Sequence, residues 1–261
     1  MSAMGAPALL STLGLDVRIG ACQVCKGFEW SASAGECWGI LGRNGTGKTT
    51  LLHTLAGLHQ PSAGHVCVAG ADMAGLPRRA VAQRVGLLPQ EHSDPFPGDV
   101  LSTVLAGRHP HLRPWQWETA TDVGIAQAAL ARVDLDGFGD RRINSLSGGE
   151  RRRVGIATLL AQAPDVYLLD EPLNHLDPHH QIAALDLLRQ ECRQADSTVV
   201  MSLHDVNLAA RYCDRILFLF GDGETAAGEA TQMLTSEYLE QLFAHPMEAI
   251  RGGTTTVFMP R

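Results

Sequence analysis

Gly42-Arg43-Asn44-Gly45-Thr46-Gly47-Lys48-Thr49, followed by Thr50, is the stretch whose reading decides the fold. Residues 37–41 before it read as a buried strand, and Leu51, Leu52, Leu55 and Leu58 after it recur at helical spacing. A strand, a glycine-rich turn and a helix opening on Lys-Thr make the Walker A phosphate loop. Glycines let the backbone curl so that its N–H groups converge on a polyphosphate, a cradle that a Cβ would obstruct. Lys48 can then reach β- and γ-phosphates, and the Thr49 hydroxyl can enter a Mg²⁺ shell. The helix beginning near Gly47 adds the positive end of its dipole.

Downstream, Val166-Tyr167-Leu168-Leu169-Asp170-Glu171 is an apolar strand ending in two adjacent carboxylates. In a parallel sheet ligands collect at the carboxyl ends of strands. There Asp170 can hold Mg²⁺, directly or through water, and Glu171 can accept a proton from the attacking water or orient it. The plainer reading is a polar strand end before a turn made by Pro172. Ser147 and Glu150 form an S-x-x-E capping box, a device for starting a helix. Between them, Gly148 and Gly149 expose backbone N–H groups at that helix N-terminus, which is an anion site. Arg151, Arg152 and Arg153 follow, read as a solvated helix face or as contacts between lobes. Asp177 before Pro178 is an N-cap with proline at N1. His204 ends a strand beside Asp205 and is either structural or a donor to a γ-phosphate. Gln90, also at a strand end, is placed to contact metal or water.

Composition narrows the classes. The chain has 261 residues, enough for one large domain or one domain with an insertion, with 45% hydrophobic and 19% charged residues. A net charge of −7 argues against a nonspecific grip on nucleic acid, which needs a basic face, but permits a local phosphate cradle. No signal peptide is read at the start, and no run reaches the ~20 apolar residues of a membrane helix. The expectation is a soluble, cytoplasmic chain; any membrane process it serves needs another polypeptide to do the spanning. Cys22 and Cys25 have C-x-x-C spacing, but no second pair or nearby histidine completes a metal site, so buried strand thiols are expected.

Residues 1–12 read as a tail and 244–261 as a polar C-terminal extension. Between them, 13–243 reads as a single domain. Strand-like runs at 16–19, 24–30, 37–41 and 65–68 form a small β part around the phosphate loop. A mostly helical insertion covers about 91–162, with an alanine-rich helix read over 117–133. Strands at 166–169, 198–203 and 216–220 then alternate with helices at 178–194 and 206–212, and a last helix spans 236–243. Such alternation predicts an α/β fold of the P-loop NTPase type with a mostly parallel sheet.

In that order, these motifs resemble the ATP-binding subunits of ABC transporters. They are Walker A, Gln90, the Leu-Ser-Gly-Gly-Glu at 146–150, Walker B at 166–171, the Asn-His-Leu-Asp at 174–177 and His204. The Leu-Ser-Gly-Gly-Glu signature sets this family apart from other P-loop NTPases. The resemblance implies an ATPase using ATP and Mg²⁺. It also implies a head-to-tail homodimer, each ATP lying between Walker A of one copy and Ser147, Gly148 and Gly149 of the other, with Asp177 communicating across the interface. It assigns catalysis to Glu171, His204 and Gln90 and metal binding to Thr49, Gln90 and Asp170. The implied partners are an integral membrane permease and, indirectly, a substrate-binding protein, at the cytoplasmic face of the inner membrane and without nucleic acid. Phe96 and Trp115 are the expected permease contacts.

The stretches 104–111 and 171–181 are similar to the importer branch for iron-siderophores, haem and cobalamin. A soluble ABC-type ATPase acting on nucleic acid, ribosomes or protein assembly is the alternative, and tandem cassettes or coiled-coil insertions, its usual marks, are absent from the sequence. A non-enzymatic nucleotide-binding regulator would lack the carboxylate that Glu171 supplies. Two departures from the family stand out. Ile19 occupies the position where an aromatic ring usually stacks on adenine, which predicts modest base selectivity. Glu150 replaces the commoner Gln, and its charge predicts a side chain turned into the capping box.

Overall fold

The computed structural model describes residues 8–20, 22–90, 98–252 and 255–261. Phe96, the segment 91–97 of the helical insertion and residues 1–7 of the expected tail lie outside the described residues.

The larger sheet contains the parallel strands β3 (Cys37–Gly42), β6 (Val85–Leu88), β7 (Val166–Leu169), β8 (Thr198–Ser202) and β9 (Arg215–Leu219). β10 (Thr225–Glu229) pairs antiparallel at its edge, giving the order β10-β9-β3-β8-β7-β6. The central strands are apolar throughout because both faces are covered. Trp38, Ile40, Leu168, Val200 and Leu217 point into one core, which they share with Leu51, Leu52 and Leu55 of α1 (Lys48–Leu55). Leu41, Tyr167, Leu169, Val199, Met201 and Phe218 point into the other. That second core also takes Leu159 of α5 (Gly148–Gln162), Leu185 of α6 (Pro178–Gln194) and Ala209 of α7 (Val206–Tyr212).

A second, antiparallel sheet combines β1 (Ala8–Ile19), β2 (Cys22–Ser33), β4 (Ala63–Val68) and β5 (Ala71–Asp72) in the order β2-β1-β4-β5. β1 corrects the expected tail. Residues 8–12 belong to this strand, where Leu10 is fully buried and the Thr12 hydroxyl donates to Phe28 O at 2.9 Å. Cys22 and Cys25 lie on β2 on either side of an irregularity in its pairing with β1, where Val17 pairs with Cys25 and Arg18 with Gln23. Cys25 is buried, and burial pushes its thiol up to about 11.

Helices α3 (Val100–Leu105) and α4 (Ala120–Ala131) pack along the signature helix α5, and a 3₁₀ segment, Ala106–His111, and α2 (Arg78–Arg84) meet its C-terminal end. α4 starts later than its alanine-rich pattern predicts, because Thr119 and Asp122 form a reciprocal capping box that fixes the first turn there. Gly107 lets the 3₁₀ segment cross α5 closely, since a Cβ would lie 2.3 Å from Thr158 O. Gln162 at the end of α5 donates to Ala82 O and Val85 O, tying this helical group to the sheet edge.

α8 (Ala230–Met233) and α9 (Ser236–Phe243) follow β10. The expected polar extension is instead a β-hairpin, β11 (Met247–Gly252) with β12 (Thr255–Pro260). Phe258 and Met247 are buried, and Asn207 of α7 exchanges two hydrogen bonds with the Phe258 backbone.

Candidate functional site

The carboxyl ends of β3, β6, β7 and β8 lie at one edge of the large sheet, so the turns after them meet there. β3 runs into the phosphate loop. Gly47 has φ +94°, and a Cβ there would lie 2.4 Å from a Val24 methyl, so the antiparallel sheet props the turn from beneath. Thr46 Oγ1 donates to Arg43 O at 2.9 Å. Lys48 is buried; its Nζ donates to Gly42 O at 2.8 Å and Arg43 O at 3.2 Å. Burial lowers the Lys48 pKa, and the nearby charges of Glu171 and Asp170 work against that shift.

Glu171, at the end of β7, is the centre of a hydrogen-bonded group. Its Oε1 lies 2.7 Å from His204 Nε2, and its Oε2 accepts from Gln90 Nε2 at 3.0 Å and Asn174 Nδ2 at 2.5 Å. Burial pushes the Glu171 carboxyl up. The bonds from His204 and Asn174, with the charges of His204 and Lys48, outweigh it and hold the group below the ordinary carboxylate range. Glu171 has φ +49°, an uncommon conformation for a residue with a Cβ, and its N–H donates to Ser202 Oγ at 2.8 Å. Ser202 in turn donates to Asp170 Oδ1 at 2.7 Å, so one hydroxyl fixes both acids.

Asp170 is fully buried, and its Oδ2 has no hydrogen-bond partner among the described residues. A buried carboxylate oxygen left unpaired is costly, and a cation is the group that relieves it. Asp170 adjoins Glu171, which lines the cleft with the half-buried Thr49 and the Gln90 amide, so the donors on offer are all oxygen, which fits Mg²⁺. The phosphate-loop residues Asn44, Gly45, Gly47, Lys48, Thr49 and Thr50 share one cleft of about 360 Å³ with Gln90, Glu171, His204 and Ile19. Ile19 is 53% exposed there, and no aromatic ring lines the cleft among the described residues.

The signature lies elsewhere. Ser147, Gly148, Gly149, His175 and Asp177 line a separate open groove of about 580 Å³. Ser147 Oγ accepts from Glu150 N at 3.2 Å and Glu150 Oε2 accepts from Ser147 N at 2.7 Å, so the Glu150 charge does turn back into the capping box. Gly149 is tight against the neighbouring turn, where a Cβ would lie 2.8 Å from His175 O. Asp177 caps α6 and accepts from both His180 N and His180 Nδ1 at 2.9 Å. One chain therefore carries both halves of the expected ATP site, but apart.

Three residues escaped the sequence reading. Asn174 stood only as part of a motif, Ser202 reads as an ordinary strand residue, and Arg152 was read with its neighbours as a face or a contact. All three arginines donate to backbone carbonyls. Arg151 reaches Leu146 O, Arg153 reaches Val133 O and Asp134 O, and Arg152 reaches Pro89 O and Pro172 O.

A sequence profile described as ABC transporter matches residues 25–174. The chain belongs to the ABC transporter ATP-binding proteins. It is 39% identical over 234 residues to the cobalamin import ATP-binding protein BtuD of Halobacterium salinarum, covering 90% of this chain and 58% of that protein. The chain thus spans less than two thirds of that relative's length. It is also 39% identical over 240 residues to the hemin import ATP-binding protein HmuV of Pseudomonas aeruginosa, covering 90% and 92% of the two chains. Among solved structures, a chain of an inward-facing ABC transporter described as of metal-chelate type superposes with a TM-score of 0.84. That chain is 31% identical, with 97% of this chain and 98% of that one covered. This ABC ATP-binding fold places the phosphate loop and the signature on surfaces that a single copy does not join.

Proposed function

We propose that the chain is the ATP-hydrolysing motor of an ABC importer that takes up a metal chelate through a separate membrane permease. The observation that carries the reading is the shared cleft, in which the phosphate loop faces a carboxylate already held by Gln90, Asn174 and His204.

The residues divide the work by their chemistry. The backbone N–H groups of 42–50 and the Lys48 ammonium bind the phosphates. Mg²⁺ held by Thr49, Gln90 and Asp170 would neutralise charge on the β- and γ-phosphates when bound. Glu171 is ionised at neutral pH, and a carboxylate held below its ordinary range is a poor proton sink. Its stronger role is to accept a hydrogen bond from the attacking water and aim it, as a loose phosphoryl-transfer transition state requires. His204, bonded to the same carboxylate, orients it and stands beside the γ-phosphate position. Ser147 and the N–H groups of Gly148 and Gly149, with Asp177, serve the ATP of a second copy in a head-to-tail homodimer. ATP binding closes that dimer and hydrolysis reopens it.

The permease docks on the helical side. Trp115 and Trp117 are 99% and 85% exposed there, and an apolar recess of about 540 Å³ opens between α1, β4 and α2. No helix among the described residues is long and apolar enough to cross a membrane, which suits a peripheral subunit at the cytoplasmic face. The importer relatives support cobalamin, ferric siderophore or haem as cargo, delivered to the permease by a substrate-binding protein.

Glu171→Gln tests the motor. Binding should survive, turnover should fall by about two to three orders of magnitude, and ATP should hold a dimer visible by light scattering. Brisk turnover in that variant would sink the assignment. Deleting the gene should impair uptake of one metal chelate and leave sugar and amino-acid import intact; co-purification with a ribosome instead of a permease would favour the soluble-ATPase reading.

A further inference from the structure

Arg152 sits on α5, five residues after Ser147, and is 5% exposed. A buried guanidinium ordinarily pairs with a carboxylate. This one spends its donors on main-chain carbonyls that arrive from two other parts of the chain. Nη1 donates to Pro89 O at 2.6 Å and to Gln90 O at 3.4 Å, Nε donates to Pro172 O at 3.2 Å, and Nη2 donates to Asp170 O. These carbonyls belong to, or adjoin, the buried Asp170 and two residues that line the nucleotide cleft, Gln90 and Glu171. Partner carbonyls carry no net charge, so the balancing field comes from the Asp170 and Glu171 carboxylates in front of it. Burial pushes the guanidinium down to about 10, which leaves it charged at neutral pH.

We propose that Arg152 is a positioning residue. It clamps the backbone of Gln90, Asp170 and Pro172 onto the signature helix and sets a fixed positive charge behind the two carboxylates. Two consequences separate it from a merely structural fastener. The clamp makes the signature helix and the Gln90–Asp170 backbone move together, so the groove that serves one nucleotide is geared to the cleft that serves another. The charge opposes a cation at Asp170 and favours an anionic nucleotide that lacks its metal. Removing it should therefore tighten Mg²⁺ and weaken metal-free ATP.

The inference rests on the metal reading of Asp170 given above. The test uses two substitutions with different losses. Arg152→Gln keeps part of the hydrogen bonding and removes the charge, whereas Arg152→Lys keeps the charge and removes the planar fork. Binding of a fluorescent ATP analogue is titrated with Mg²⁺ and, separately, in EDTA, in the Glu171→Gln background so that no hydrolysis intervenes. Arg152→Gln should lower the Mg²⁺ midpoint by about three- to tenfold and weaken binding in EDTA by a similar factor, while Arg152→Lys leaves both near the parent. With Glu171 intact, both variants should lose about tenfold in turnover, because a small displacement of the clamped backbone misplaces the reacting groups.

Equal Mg²⁺ midpoints in the parent, Arg152→Gln and Arg152→Lys would overturn the charge role, and full turnover in both variants would overturn the clamp. Should Arg152→Gln not fold, Arg152→Lys decides alone, since full turnover in it removes the clamp. If the parent protein binds ATP with no dependence on Mg²⁺ at all, the metal reading fails, and that result is distinct from a failure of Arg152.

Discussion

In the phosphate-loop cleft, side chains from the turns after three different strands hold one another. Glu171 is bonded to Gln90, Asn174 and His204, and Ser202 joins Asp170 to the Glu171 backbone. In the signature groove the hydrogen bonds are local, between Ser147 and Glu150 and between Asp177 and His180. On the proposed function, the first surface is a preorganised reaction centre that one chain assembles, whereas the second offers the N–H groups of Gly148 and Gly149 at a capped helix N-terminus to a phosphate that a second copy would bring.

Two substitutions test that division most strongly. Lys48→Ala removes the buried ammonium from the cleft and should weaken ATP binding by about 100-fold or more, read by equilibrium binding. Near-parental affinity would mean that the phosphates do not lie against this loop. Ser147→Ala should leave ATP affinity of the single chain unchanged, because Ser147 is outside that cleft, while turnover falls by about tenfold. Loss of helix capping should cost about 1 kcal/mol at most, checked by thermal melting. A fall in single-chain affinity would show that the two surfaces are not independent.

A smaller effect concerns the nucleobase. Ile19 offers only an aliphatic edge to the cleft, so competition binding should find ATP and GTP within about tenfold of one another. A strong preference for ATP would reveal an aromatic group from outside the described residues.

The smallest effect belongs to a control remote from both surfaces. Asp122 in the α4 capping box is held down to about 2, first by the hydrogen bonds from Thr119 and then by Arg108. A depressed carboxylate stabilises the fold fully above its ordinary pKa and loses that contribution as pH falls toward its folded value. Asp122→Asn should therefore melt about 2 °C lower at neutral pH, with the gap closing between about pH 4 and pH 2. ATP affinity should not change, and a gap that widens in acid would contradict the sign.

Local signals were legible where their cause was local. The starts of α6 and α7 follow from Asp177-Pro178 and Asp205, because an N-cap is a contact within four residues. The retreat of Glu150 into the capping box was readable for the same reason. β1 and the C-terminal hairpin were not. Residues 8–12 are weakly patterned and become a strand because β2 and β4 flank them. The hairpin is interrupted by glycine, and Phe258 is buried in the main core, where Asn207 holds its backbone against α7. Trp117 looked like the start of a helix, but Thr119 capping begins that helix beyond it.

The sequence by itself determined the phosphate loop, the acidic end of β7, the signature and the order in which they occur. Each is a short run whose backbone needs are met by its own neighbours. Only the tertiary structure decided that the Asp170 Oδ2 is unpaired among the described residues, that Gln90 reaches Glu171 across 81 residues, and that Arg152 faces carbonyls instead of solvent. Those facts depend on which strands lie side by side, and the pairing of β6 with β7 and β7 with β8 is set by burial of both faces of the sheet.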